Sequence, residues 1–311
     1  MPMTLALILL TAMLMSNGCG ASRPASAQPF LGGSGTMAEQ FEITYRVRDG
    51  RPPADLDLHL SPDGQAEVYV GTSTSIPLAS VNRVGTFSGQ APVAELDALY
   101  AYLREHDLLA RGASYGQLSP STPNRFLEIR AGGREAQLKL TEMTTDPEID
   151  GFEELLQSLA LAMTSQPTRA VEASLELRDA DGQIVPTIEL RSIGSEPMTA
   201  LLADPAQPVF TLYAQVELRG TKILPGGISI PAVLGNAAFP PEAVQAMAES
   251  GELPSGITEL PPDAIYRFEL PPITAPQDSS SVTATGSLDF WLPEGKARRG
   301  ITVITPEMPL P

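Results

Sequence analysis

The chain has 311 residues, 42% of them hydrophobic and 18% charged, with 37 acidic side chains against 20 basic ones and a formal net charge of −17. That hydrophobic fraction is too high for a disordered tail protein. The acidic balance argues against nucleic acid, because phosphate binding needs patches of Lys and Arg. A single cysteine excludes an intrachain disulfide framework and a cysteine-cluster metal site.

The N-terminus carries the sharpest signal. Residues Thr4 to Met15 read TLALILLTAMLM. This run is shorter than the ~20 apolar residues of a membrane-spanning helix and has the length of the apolar region of a secretory signal. Directly after it stands Ser16-Asn17-Gly18-Cys19-Gly20, with the chain's only cysteine. This stretch resembles the lipobox of bacterial lipoproteins: small residues, glycine before the cysteine, then the cysteine. Ser16 stands where the family prefers leucine, and Leu14 lies two residues further back.

The resemblance implies that residues 1–18 are a signal peptide and that the Cys19 thiol accepts the lipid. The partner is then a membrane, held through the anchor at Cys19. Gly20, in the place where aspartate would retain the protein at the inner membrane, implies the outer membrane. Ala25-Ser26-Ala27 offers a second reading, an A-x-A site for ordinary secretion. Residues 19–38 are rich in Pro, Gly and Ser and form a flexible tether, which spans roughly 25 Å as a coil.

Residues 39–166 read as an α+β domain, an antiparallel sheet with two helices on one face. Phe41, Ile43, Tyr45 and Val47 alternate with polar residues, as a half-buried strand requires. Leu56, Leu58 and Leu60 lead through Ser61-Pro62-Asp63-Gly64, which is turn chemistry, to a returning strand over Glu67 to Val70. Val93, Leu96, Leu99, Tyr100 and Leu103 place one helix within Pro92 to Leu109, with Pro92 in its first turn. A second hairpin turns at Gly132-Gly133. A second helix buries Ile149, Phe152, Leu155, Leu156, Leu159 and Met163, with Thr145 and Glu148 as a capping box and Pro147 in the first turn.

Thr164 to Thr168 marks a break, and residues 167–311 read as nearly all strand. Val171 to Leu177, Ile184 to Leu190, Met198 to Ala203, Phe210 to Leu218, Tyr266 to Leu270, Leu288 to Leu292 and Ile301 to Ile304 give about seven strands. An immunoglobulin-like β-sandwich is the expected solution. The strand series resembles the accessory sandwich domains of bacterial surface lipoproteins, a likeness of architecture that implies no activity. Residues 221–263 read as a long insertion between two of the strands.

The chemistry-bearing residues are sparse. His59 shares a polar face with Asp55 and Asp57, a spacing that suits one cation, and a solvated sheet face is the competing reading. His106-Asp107 closes the first helix, where the helix dipole favours a cation. Asp179-x-Asp181-Gly182 fails the calcium-loop template, because Leu177 and Ile188 stand at ligand positions. No G-x-S-x-G, H-E-x-x-H or phosphate loop occurs.

No catalytic residue, metal or cofactor is therefore expected. Trp291 falls on the polar face of its strand, and it joins Tyr213 and Phe239 as candidate partner contacts. The resulting expectation is a non-enzymatic envelope lipoprotein, a binding or structural module for an unknown envelope protein or polymer. The alternatives are a hydrolase acting on an envelope polymer and an inhibitor-like binder of secreted proteases.

Overall fold

The computed structural model describes residues 41–48, 56–71, 82–111, 124–141, 146–203, 212–224, 228–239, 246–247, 250, 255–274, 279–292, 297–305 and 308–309. The signal and tether, Cys19, the Ala25-Ser26-Ala27 site, Asp55 and Thr145 lie outside these residues.

The protein is mostly β, with large antiparallel sheets and two helices among the described residues. The first sheet opens with β1 (Phe41–Arg48), β2 (Leu56–Leu60), β3 (Gln65–Val70) and β4 (Arg83–Gln90). Helix α1 (Val93–Glu105) follows, then β5 (Asn124–Ala131), β6 (Arg134–Thr141) and helix α2 (Pro147–Met163). Alternation along β1 sends Phe41, Ile43, Tyr45 and Val47 to one side, where they cluster with Leu96, Leu99 and Leu103 of α1 and Ile149, Phe152, Leu156, Leu159 and Met163 of α2. Each fully buried side chain of this size contributes ~1.5–3 kcal/mol, so the helices are held by this face and not by their intrinsic propensity.

The helix starts differ from the sequence expectation. Asp146 caps α2, its side chain accepting from the Glu148 backbone N–H at 3.1 Å. Aspartate is as good an N-cap as threonine and sits one residue nearer Pro147, which then occupies the first helical position. Pro92 is the N-cap residue of α1, not part of its first turn.

The chain leaves α2 directly into β7 (Pro167–Ala180), which turns at Asp181-Gly182 into β8 (Gln183–Ser192). Both turn residues have positive φ, 55° and 80°. That is the requirement of the tight hairpin turn whose twist matches the strands, and Asp-Gly meets it. The stretch expected to be a break therefore begins a long strand. β7 pairs with β4, so one sheet runs in the order β13-β8-β7-β4-β3-β2-β1-β5-β6, with β13 (Ile265–Glu269) at its far edge and β14 (Ile273–Thr274) also on β8.

The second sheet holds β9 (Met198–Ala203), β10 (Leu212–Leu224), β11 (Ile228–Ala238), β12 (Gly256–Leu260), β15 (Ser279–Leu292), β16 (Ala297–Ile304) and β17 (Met308–Pro309). Its inner residues, among them Leu212, Val216, Leu218, Ala284, Leu288, Phe290 and Ile301, form one apolar cluster with Val171, Ala173, Ile184, Ile188, Leu190 and Phe268 of the first sheet. Two cores thus share one sheet. β4 feeds both, with Phe87 in the helix-covered core and Val84 in the core between the sheets.

Much of the segment 221–263 is strand. β10 runs on to Leu224, β11 pairs back along it, and β12 pairs with β9. Pro231 and a register shift at Leu218/Arg219 break the two-residue period there. An edge strand tolerates both features.

Candidate functional site

His59 lies on the face of the first sheet away from the helices. Its Nδ1 is 3.3 Å from Thr44 Oγ1, and its Nε2 is 4.0 Å from Glu42. Asp57 does not converge on it, because the carboxylate takes the Arg46 guanidinium at 3.1 Å. Among the described residues no group of three His, Cys, Asp or Glu side chains is arranged to hold a metal ion.

His106 ends α1 with its ring 4.2 Å from that of Tyr102 and its Nδ1 3.4 Å from Glu148. Asp107 pairs with Arg134 at 2.9 Å. These contacts tie the end of α1 to the start of α2 and to β6. Asp179 accepts from the Gly182 N–H at 3.2 Å, which is the hairpin turn closing on itself.

Sequence reasoning missed Glu153, the one charged residue among the buried positions of α2, at 2% exposure. The signal was present, since Glu153 lies four residues after Ile149 and three before Leu156, on the apolar stripe. It ion-pairs with Arg125 of β5. Arg125 sits opposite Val47 in the β1–β5 register and so belongs to the helix-facing side of the sheet. Asp150 lies 3.9 Å from the same guanidinium. Burial outweighs the Arg125 attraction and pushes the Glu153 carboxyl up to about 7. Burial first, and the Glu153 charge second, also push the Tyr45 phenol up.

Two of the expected contact positions, 213 and 291, fall at neighbouring register positions of β10 and β15. Tyr213 of β10 pairs with Asp289 of β15, and Trp291 is two residues further along β15. Diagonal neighbours of this kind have backbones about 7–8 Å apart on one face. Trp291 also pairs with Arg298 of β16 and with Leu201 of β9. Position 291 continues the series Thr283, Thr285, Ser287 and Asp289, which alternates with the buried Val282, Ala284, Leu288 and Phe290.

The same face carries Val233, paired with Arg219, and Ile304, paired with Thr285, which are 64% and 71% exposed. Leu201, opposite position 291 in the β9–β15 register, keeps only 8% of its surface. Phe239 is not part of this surface. Its backbone N–H donates to Ala214 at 3.2 Å, and its ring is in the core between the sheets. An apolar ring beside a strand end packs inward when the sheet opposite offers Val, Leu and Phe, and here it does. No family model matches the chain, and no curated protein matches it.

Proposed function

We propose that the protein is a lipid-anchored module of the bacterial cell envelope that binds a partner and catalyses nothing. The observation that carries this reading is the chain's only cysteine, Cys19, placed at the end of a short apolar run and followed by a Pro/Gly/Ser-rich stretch. An acylated cysteine with more than one chain anchors stably, since about two lipid signals suffice. Gly20 favours the outer membrane. The fold is an α+β unit over residues 39–166 joined to an immunoglobulin-like sandwich over 167–311, a reading supported by the two apolar cores, which meet along the β4–β7 pair.

The contact surface is the outer face of the second sheet, with Tyr213 and Trp291 as anchors and Val233 and Ile304 beside them. Aromatic residues are the usual anchors of protein interfaces, which favours an envelope protein or polymer as the partner. The anchor is tested by labelling cells with a fatty-acid probe. Wild type is expected to take up label and Cys19→Ala to take up none. Equal labelling of the two chains would overturn the assignment.

A further inference from the structure

Glu153 is the one charge on the buried stripe of α2, and it meets Arg125 of β5 across the contact between α2 and the sheet. Removing both from water is costly, and their mutual attraction only partly offsets it. One carboxylate oxygen, Oε2, is held by Arg125; the other, Oε1, has no hydrogen-bond partner. The hydroxyl of Tyr45, from β1, is fully buried near the same carboxylate and also lacks a well-formed hydrogen bond. Among the described residues the further charge facing the pair is Asp150, on α2 itself.

Buried polar atoms without partners are uncommon in proteins and call for a reason. A protonated carboxyl supplies one here, because its O–H is a donor that an ionised carboxylate lacks. Ionisation instead leaves a negative charge in an apolar seam, with one cation as compensation.

We propose that Glu153, Arg125 and Tyr45 form a proton-responsive seat that sets how firmly α2 holds to the sheet. The consequence reaches beyond the helix. Thr164, just after α2, accepts from Arg83 of β4 at 3.2 Å, and the Gln166 carbonyl accepts from the Ser88 N–H at 3.1 Å. A looser α2 therefore loosens the point where β7 joins β4 and where the two cores meet.

The test is amide hydrogen exchange of the intact chain, corrected for intrinsic chemistry, from about pH 5 to about pH 9. Protection of residues 147–163 is expected to fall about tenfold or more with rising pH in wild type, one pKa unit being a factor of ten. Glu153→Gln is expected to flatten that dependence, while Tyr45→Phe, which keeps the carboxyl and the guanidinium, is expected to retain it. Carbon-13 NMR of labelled glutamate carboxyls in wild type gives a check that needs no variant to fold. One glutamate titrating near neutrality, far above the others, supports the seat. All glutamates titrating in the ordinary range, or matching exchange profiles for wild type and Glu153→Gln, would overturn it.

Discussion

Gly85 is where the joint between the two cores can be broken with one methyl group. It sits on β4 opposite Ala170 of β7, with φ +128°. A Cβ built there lies 2.3 Å from the Arg169 carbonyl oxygen and 2.6 Å from the Ala170 Cα, so backbone and not a flexible side chain stands in the way. Gly85→Ala incurs about 1–3 kcal/mol of backbone strain and about 1–3 kcal/mol of overpacking. The sum, about 2–6 kcal/mol, is a large share of the ~5–15 kcal/mol that holds a typical domain together.

The control is Gly182→Ala, where φ is +80° but nothing lies within 4 Å of the added Cβ. It meets strain alone, ~1–2 kcal/mol. Urea unfolding followed by the fluorescence of Trp291 reports on the second sheet, and far-UV circular dichroism reports on the whole chain. Since Val84 and Phe87 flank Gly85 and enter different cores, both signals are expected to shift together in Gly85→Ala and by more than in Gly182→Ala. Equal loss in the two variants would refute the steric reasoning. A shift in one signal alone would refute the joint.

Asp146→Ala removes the side-chain cap of α2 and is expected to lower stability by ~0.5–2 kcal/mol in chemical denaturation, with part of the effect arising through its ion pair to Arg111. Trp291→Ala is expected to weaken partner capture in membrane crosslinking by more than about 1 kcal/mol without moving the unfolding midpoint. An unchanged crosslinking yield would remove this face from the contact surface.

Most of the fold is legible in the sequence wherever one face of an element is buried and the other wet. Phe41 to Val47, Val171 to Leu177 and Ala284 to Phe290 alternate cleanly for that reason. β4 is not legible, because Arg83-Val84-Gly85-Thr86-Phe87 contributes to two cores on opposite sides and contains the glycine that lets β7 come close. β11 is hidden by Pro231 and by the bulge opposite Leu218 and Arg219. Its edge position makes both tolerable, and no local pattern announces an edge. The candidate surface is half legible. Parity along β15 puts Trp291 with the polar series, but only the register to β10 brings Tyr213 beside it, and only tertiary packing removes Phe239. The spacing puts Glu153 on the apolar stripe of α2, but only the structure supplies its partner on β5.

The same residue fixes the sign of a pH effect on the whole fold. The Glu153 carboxyl rises from its ordinary value of 4.5 to about 7 in the folded chain. The folded state therefore holds the proton more tightly than the unfolded one. The stabilisation is fully present below the ordinary glutamate value and is lost as pH rises through about 7. At ~1.4 kcal/mol per unit, the difference amounts to something on the order of 3 kcal/mol. Glu153→Gln stays neutral throughout. Any fixed cost of the substitution is the same at every pH, and the variant has no such slope. Asp63 pulls the other way. The Ser61 hydroxyl, and after it the Gln65 N–H, hold its carboxyl below the ordinary range, so that contribution is lost as pH falls. It is common to both chains and cancels in their difference. Stability measured against pH should thus show the two curves converging or crossing in favour of Gln between about pH 5 and about pH 8. Parallel curves would mean that Glu153 has the same proton affinity folded and unfolded, and that its burial between α2 and the sheet exacts nothing.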